Sequence, residues 1–117
     1  MATLNIRGIR NPKKRSTVLR NLKRERLDIV SLQETYLLSQ QDERDIVSEW
    51  DGILHFSPAD SHNSKGLVTL FNKKFRDCEI NLIFKSNRVL ISAIKINNEN
   101  IFVVNVYSPS DEDKEKI

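Results

Sequence analysis

Apolar and polar positions in the first fifty residues alternate between a strand pattern and a helix pattern. Segments 2–8 and 27–34 have the short apolar runs of strands, and 27–34 is apolar at successive positions, as in strands covered on both faces. Segments 11–26 and 39–50 have apolar residues at helical spacing. The inner stripes comprise Val18, Leu19 and Leu22 in the first helix and Ile46, Val47 and Trp50 in the second.

Both helices begin at residues that favour a helix N-terminus. Asn11 is a good N-cap, and Pro12 suits the first helical position. Ser39 caps the second helix, whose first turn carries acidic residues that suit the positive end of the helix dipole. The order strand, helix, strand, helix predicts an α/β fold.

From Gly52 onward the pattern is that of strands. We predict strands over 52–57, 66–72, 75–85, 88–96 and 101–107, with a polar loop at 58–65 and a four-residue hairpin turn at 97–100. Alternation in 75–85 places Cys78, Ile80, Leu82 and Phe84 on one face, so Cys78 is expected in the core. Residues 108–117 read as a helix start, and we expect that the sequence continues in a longer protein.

Composition excludes several classes of protein. The chain has 117 residues, 38% of them hydrophobic and 30% charged, which suits one small domain or part of a larger one. No apolar run approaches the length of a transmembrane helix, and the N-terminus lacks a signal-peptide layout. Cys78 is the single cysteine, so no internal disulfide forms. We expect a nuclear or cytoplasmic protein that is not secreted and does not bind a membrane.

Positive charge is concentrated at the N-terminus. Residues 1–27 hold nine of the 19 Lys and Arg and one acid, a net charge of +8, whereas residues 28–117 carry a net charge of −5. Such a basic segment suits a surface that faces phosphates, and Lys13, Lys14 and Arg15 are the candidate contacts to nucleic acid. The alternative is a solvated helix face that happens to be basic.

Three polar residues stand where apolar strands end. They are Asn5, Glu34 and Tyr107. Ligand sites in α/β sheets gather outside the carboxyl ends of strands, where a carboxylate can bind a hard cation, an amide can orient a ligand and a phenol can hydrogen-bond a phosphate. The three residues together are the candidate site.

The same segments resemble a known family. The stretch TLNIRGIRNPKKRSTVLRNLKRERLDIVSLQET resembles the start of endonuclease/exonuclease/phosphatase proteins, closest to the apurinic-endonuclease-like domain of non-LTR (LINE-type) retrotransposons, which precedes a reverse transcriptase. The likeness rests on Asn5 and Gly8 at the first strand end and on the Gln-Glu-Thr motif at 33–35. SKGLVTLFN and NVYSPS resemble the family's Gly-Val strand and its Asn-x-Tyr-x-Pro segment.

This resemblance implies roles for the candidate residues. Glu34 would bind a catalytic Mg²⁺ or Mn²⁺, Asn5 would orient the catalytic groups beside the metal, and Tyr107 would contact the scissile phosphate of DNA. The family hydrolyses phosphodiesters by in-line attack of a water. The alternative for Glu34 is a structural carboxylate paired with a nearby arginine.

The sequence also departs from the family pattern. Arg7 stands where the family often has Asp or Asn, which puts a cation close to the metal site. The Gly-Asp-Phe-Asn and Ser-Asp-His segments, which supply the water-activating Asp and the phosphate-binding His, do not occur. His55 and His62 lie in the wrong part of the order to replace them, and His62 is expected at the surface. We therefore expect residues 1–117 to be the N-terminal part of the domain, catalytically incomplete alone.

The resemblance implies a fold as well. The family stacks two sheets between helices, so this chain is expected to be the first half of a four-layer α/β/β/α sandwich. We expect one mixed, largely antiparallel sheet with two helices on one face, and an uncovered apolar second face. Its expected partners are DNA, the C-terminal half of the domain and a reverse transcriptase.

Two other functions fit the same sequence features. One is a non-catalytic nucleic-acid-binding or pseudogene-derived fragment that keeps only the basic surface. The other is a phosphodiesterase of the same fold that acts on a phospholipid or a nucleotide. The basic helix favours DNA over a small phosphoester.

Overall fold

Seven strands and two α-helices make up the part of the chain that the computed structural model describes, residues 1–59 and 65–107. The elements follow in this order: β1 (Ala2–Asn5), α1 (Pro12–Arg24), β2 (Ile29–Gln33), α2 (Gln40–Glu49), β3 (Ile53–Ser57), β4 (Leu67–Phe71), β5 (Ile80–Lys85), β6 (Val89–Ile96) and β7 (Glu99–Val106). The predicted α/β class is confirmed. Most of the loop 58–65, with His62, and the helix start at 108–117 lie outside the described residues.

The predicted helix starts are confirmed in atomic detail. The Asn11 side chain accepts hydrogen bonds from the backbone amides of Lys13 and Lys14, with Pro12 in the first turn. Ser39 forms a capping box with Asp42 at the start of α2. These local interactions explain why both helices begin where the sequence predicts. No helix among the described residues is long and apolar enough to cross a membrane.

The strands form two sheets, which corrects the single sheet that we predicted. The first sheet has the order β1-β2-β4-β3, with β1 and β2 parallel and the other pairs antiparallel. The second is the antiparallel sheet β5-β6-β7. A 3-10 turn at Lys73–Phe75 and a further turn at Cys78 carry the chain off the first sheet, so β5 begins at Ile80 and pairs only with β6.

The second sheet covers the face of the first sheet that we expected to be bare. One face of the first sheet packs on α1 and α2 through a core that includes Leu19, Leu32 and Ile46. The opposite face packs on the second sheet through Phe71 and Val103, among others. The described residues therefore form three layers, helices, sheet and sheet, as in the first three layers of the predicted sandwich.

Two details of the second sheet differ from the predicted pattern. A bulge between Leu82 and Phe84 inserts an extra residue into β5, so Phe84 leaves the face that Ile80 occupies. The hairpin turn has two central residues rather than four, since Ile96 already pairs with Glu99. Asn97 and Asn98 both adopt positive φ, as a type I′ turn requires. On α2, Val47 is 50% exposed and does not belong to the inner stripe.

The outer face of the second sheet is a row of exposed apolar side chains. Phe84, Val104 and Val106 are 51%, 55% and 46% exposed, and Phe102 is 60% exposed. Cross-strand pairing through Ile91 places Phe84 and Val104 on the same face. Such a contiguous apolar patch on a small protein is characteristic of a surface that another element covers.

We predict that the isolated chain binds a hydrophobic dye and self-associates through this outer face. Replacing Phe102 and Val104 together with Lys should abolish most of the dye fluorescence and shift the chain to a monomer, because charges oppose burial of the patch. Dye titration and sedimentation velocity measure the two effects.

Val47→Lys is the matched control, since Val47 is as exposed as these residues but lies on the outer side of α2. It should leave dye binding unchanged. A wild-type chain that is monomeric and binds no dye would refute the prediction.

Candidate functional site

The predicted site residues meet at one edge of the first sheet. Asn5 ends β1 and is the register partner of Gln33, the last residue of the parallel strand β2, so Asn5 and Glu34 emerge side by side. Tyr107 directly follows β7 in the second sheet. The Gln33 amide donates to the Asn105 side-chain oxygen at 2.8 Å, which brings the end of β7 to the same edge.

Asn105 is a site-building residue to which the sequence analysis gave no role, although it is the Asn of the Asn-x-Tyr-x-Pro segment. It is 1% exposed, and its amide donates to the carbonyl oxygens of Leu32 at 3.3 Å and Val68 at 3.0 Å and to the Thr69 hydroxyl at 3.3 Å. The signal was an amide at an inward position of the apolar strand IFVVNVY. Because a buried amide requires partners, it aligns the two sheets where the candidate residues emerge.

The backbone around Thr35 connects three loops. Thr35 is fully buried, its amide donates to the Gly66 carbonyl at 3.2 Å, and its own carbonyl accepts from the Ile9 amide at 2.9 Å. Its hydroxyl accepts from the Leu37 amide at 3.3 Å. The neighbours repeat the pattern: the Gly8 amide donates to the Glu34 carbonyl, and the Tyr36 amide donates to the Lys65 carbonyl. Glu34 is thereby fixed between the loops that follow β1 and precede β4.

Unusual backbone conformations accompany these hydrogen bonds. Glu34 and Tyr36 have φ angles of 55° and 60°, and Arg7 has a φ of 49°. Gly66 has a φ of +87°, and a Cβ added there would lie 2.5 Å from the Thr35 hydroxyl oxygen. Non-glycine residues rarely adopt this left-handed region, and where they do the surrounding contacts must hold them in it.

The Glu34 carboxylate has one cationic partner and two polar ones. The Lys65 ammonium lies 3.0 Å from Oε1, and the Tyr36 hydroxyl donates to the same oxygen at 3.4 Å. Burial alone raises the carboxyl pKa, but hydrogen bonds from Lys65 and Asn5 outweigh it, so the pKa of Glu34 lies below its ordinary value. Glu34 is therefore ionised at neutral pH.

Lys65 is a second residue that the sequence analysis missed. Its hydrogen bond to Glu34 raises its pKa, and the Tyr36 and Tyr107 phenols act on it electrostatically in the same direction. The only sequence signal was a lysine directly before the Gly-Leu-Val strand, in SKGLVTLF. The alternative role for Glu34 was a structural ion pair with an arginine. The structure shows such an ion pair, with Lys65 instead of an arginine.

The residues at this edge fit a hard cation in part. No group of three or more His, Cys, Asp or Glu side chains suited to a metal occurs within residues 1–59 and 65–107. One carboxylate beside an amide nevertheless suits Mg²⁺, which keeps several waters and takes only one or two protein carboxylates together with substrate phosphate. Glu34 is the residue that would hold it, with Asn5 alongside.

Arg15 is structural, which corrects its assignment as a contact to nucleic acid. Its guanidinium is buried and makes a bidentate pair with Glu49, through Nε at 2.6 Å and Nη2 at 2.8 Å. Nη1 donates to the carbonyls of Ile9 and Arg10. Arg15 faces inward on the amphipathic helix α1, so its charge connects α1 to α2 and is withheld from solvent.

The other basic candidates remain accessible. Lys13 and Lys14 are exposed on the first turn of α1, and the Lys14 ammonium donates to the carbonyls of Ile6 and Arg7 at 2.9 and 3.2 Å. Those carbonyls belong to the loop that follows Asn5. Lys14 therefore places a positive charge next to the candidate site.

The remaining titratable candidates lie away from this edge. His55 faces the second sheet, its Nδ1 is 2.6 Å from the Ser92 hydroxyl, and burial lowers its pKa. It contacts the Phe71 ring edge-on. Cys78 packs, half-buried, against the apolar cluster between the sheets, as expected of a core cysteine.

We predict that Gly66→Ala damages the site through the backbone. The new methyl would overlap the Thr35 hydroxyl and occupy a left-handed conformation, which should cost about 1–3 kcal/mol of unfolding free energy. Because Glu34 is held by the same hydrogen bonds, affinity for Mn²⁺ should also fall about tenfold. Urea unfolding and calorimetric titration with Mn²⁺ measure the two effects.

Gly52→Ala is the matched control. Its methyl would overlap the Phe71 carbonyl oxygen at the opposite end of the sheet, so it should destabilise the fold without weakening Mn²⁺ binding. Equal loss of Mn²⁺ affinity in both variants would show that Gly66 acts only through global stability.

Comparison with known proteins agrees with this architecture. The sequence profile of the Endonuclease/Exonuclease/phosphatase family matches residues 2–115. No curated protein sequence matches the chain.

Two solved structures share the fold. The endonuclease domain of TRAS1, a telomere-specific non-LTR retrotransposon, is similar with a TM-score of 0.64 and 17% identity, covering 97% of this chain and 48% of that one. The AP endonuclease LMAP from Leishmania major is similar with a TM-score of 0.68 and 21% identity, covering 97% of this chain and 42% of that one. The chain thus spans less than half of each solved chain. Since the family profile extends over nearly all of its residues, the chain belongs to the endonuclease/exonuclease/phosphatase family.

Proposed function

We propose that this chain is the N-terminal part of a Mg²⁺-dependent DNA endonuclease of the retrotransposon type. The observation that carries the proposal is the ionised Glu34, held by the Thr35 hydrogen bonds at the sheet edge where Asn5 and Tyr107 also emerge. A carboxylate in a sparsely populated backbone conformation points to a functional constraint rather than to folding alone. Membership of the family and the likeness to two endonucleases support the same reaction class.

Each residue has a distinct role in this proposal. Glu34 would hold the cation, which supplies charge neutralisation at the phosphate and stabilises the leaving oxygen. Asn5, beside Glu34 at the ends of paired strands, would orient the catalytic groups next to the cation. The Tyr107 hydroxyl donates a hydrogen bond to a non-bridging phosphate oxygen. Gln33 and Asn105 position the two strand ends so that these groups converge.

The basic surface favours DNA as the substrate. Lys13 and Lys14 are exposed on the first turn of α1, and Lys14 contacts the loop carbonyls that follow Asn5. Positive charge next to the cation site suits a polyanionic backbone that extends beyond the scissile phosphate. A small phosphoester would not require such a surface.

We do not expect residues 1–117 to hydrolyse DNA alone. Their sequence lacks the Gly-Asp-x-Asn and Ser-Asp-His motifs, which in the family supply the groups that activate water and bind phosphate. We propose that a C-terminal half of the domain supplies them and that a reverse transcriptase follows in the full protein, which acts in the nucleus or cytoplasm. Binding of Mn²⁺ and of DNA, rather than nicking, is therefore the property to measure for this chain.

A second function is favoured by one specific observation. The Lys65 ammonium already neutralises Glu34, as in a structural ion pair that needs no metal. On that basis the chain would be a non-catalytic nucleic-acid-binding fragment. Metal binding distinguishes the two proposals.

We predict that the chain binds Mn²⁺ through Glu34. Glu34→Gln should weaken the affinity about tenfold or more, because it removes the charged oxygen without changing the shape of the side chain. Isothermal titration calorimetry on the 117-residue chain measures this dissociation constant.

Glu99→Gln is the charge-matched control, because Glu99 is exposed on the hairpin of the second sheet. It should bind Mn²⁺ like the wild type. If Glu34→Gln also binds like the wild type, Glu34 is not a metal ligand and the non-catalytic fragment is the better description.

We also predict salt-dependent, sequence-independent DNA binding through the first turn of α1. Replacing Lys13 and Lys14 together with Gln removes two phosphate contacts, which should flatten the slope of log K against log salt by about 1.8. Fluorescence anisotropy with duplexes of different sequence, over a range of salt concentrations, measures the slope.

Lys73 and Lys74 provide the matched control, because they carry the same charge at the opposite end of the first sheet. Their replacement with Gln should leave the slope nearly unchanged. Equal slopes for the two double variants would mean that DNA responds only to net charge and does not bind at the candidate site.

A further inference from the structure

The Lys65 ammonium contacts the Glu34 carboxylate oxygen that a divalent cation would bind. The ammonium is 3.0 Å from Glu34 Oε1. Among the ion pairs of the described residues, Lys65 pairs with no second carboxylate and Glu34 with no second cation. A cation and the ammonium would compete for the same carboxylate charge, because one charge cannot neutralise both partners.

Two observations separate Lys65 from an ordinary structural ion pair. The Glu34 backbone is already fixed by the hydrogen bonds around Thr35, so the ion pair is not needed to hold the backbone, and the Tyr36 hydroxyl remains as a partner of the carboxylate. The Lys65 side chain is also the more exposed partner, at 36% against 12% for Glu34. The ammonium is therefore the partner that can leave at little cost.

The Lys65 backbone limits where the ammonium can go. Its carbonyl accepts from the Tyr36 amide at 2.7 Å, and the next residue, Gly66, is bonded to Thr35. Tyr107 directly follows β7, whose end the Gln33–Asn105 hydrogen bond brings to the same edge. A released ammonium therefore stays within one side-chain length of the site, beside the residue proposed to contact phosphate.

We propose that Lys65 takes the place of the divalent cation on Glu34 and turns to the DNA phosphate when the cation binds. This inference rests on the proposed function, because it requires Glu34 to be the metal ligand. Without the cation, Lys65 and Glu34 neutralise each other. With the cation bound, the freed ammonium adds a second positive group next to the phosphodiester.

Such an exchange couples metal binding to DNA binding. Binding of the cation frees the Lys65 ammonium to contact a phosphate. The cation therefore increases DNA affinity by more than its own charge explains. By linkage, DNA must increase cation affinity by the same factor. The site would hold its full positive charge only when the cation is bound.

The first test is Mn²⁺ affinity of the 117-residue chain by calorimetry. Lys65→Met should bind Mn²⁺ about three- to tenfold more tightly, since the competitor is gone. Lys65→Arg keeps the charge and should remain close to the wild type. Lys95→Met removes an equal charge from the exposed hairpin end of β6, remote from the site, and its effect should be less than about twofold.

The second test is the salt dependence of DNA binding with and without Ca²⁺, which occupies hard-cation sites. With Ca²⁺ present, Lys65→Met should lower the magnitude of the salt slope by about 0.9, the value of one phosphate contact. Without Ca²⁺, the wild type and Lys65→Met should have equal slopes, because Lys65 is then held by Glu34.

The outcomes separate this inference from the function on which it rests. If Glu34→Gln weakens Mn²⁺ binding but Lys65→Met and Lys95→Met change it equally, the proposed metal site stands and the role of Lys65 is refuted. Equal salt slopes for wild type and Lys65→Met in Ca²⁺ refute it as well. If Glu34→Gln binds Mn²⁺ like the wild type, both proposals fail.

Discussion

The candidate site depends on the hydrogen bonds of one buried residue, Thr35. Its amide and carbonyl connect the loop before β4 to the loop after β1, through Gly66 and Ile9. Buried peptide groups without partners are costly, so this segment has little freedom to rearrange. The consequence is that Glu34, in a left-handed conformation that most side chains avoid, holds its carboxylate at the edge of the sheet. The backbone thus fixes where the Glu34 side chain starts, and Lys65 and Tyr36 contact its carboxylate.

Features set by neighbouring residues were predictable from the sequence. The caps at Asn11 and Ser39 depend on residues two or three positions away, and both helices begin as predicted. The strand that ends before Glu34 was evident from its unbroken apolar run, which also revealed the carboxylate as unusual. The positions of Asn5 and Glu34 at one edge followed from the rule that carboxyl ends of parallel strands meet, which the pairing of β1 with β2 satisfies.

Features set by distant residues were not predictable. The pairing of Arg15 with Glu49 joins residues 34 positions apart, and nothing in the local pattern distinguishes this arginine from its exposed neighbours. The division into two sheets depends on which strands pair, and a single bulge in β5 reverses the face of Phe84 without a sequence signal. Lys65 was missed for the same reason, because only folding brings it to Glu34.

The central claim is that Glu34 binds a divalent cation and that the Lys65 ammonium occupies the position of this cation when the cation is absent. The most direct measurement is an anomalous difference map from crystals of the chain soaked in Mn²⁺. The account predicts a peak about 2.1 Å from a Glu34 carboxylate oxygen, with the Lys65 ammonium displaced from that oxygen. A map in which Lys65 still contacts Glu34, and any Mn²⁺ lies elsewhere, would contradict it.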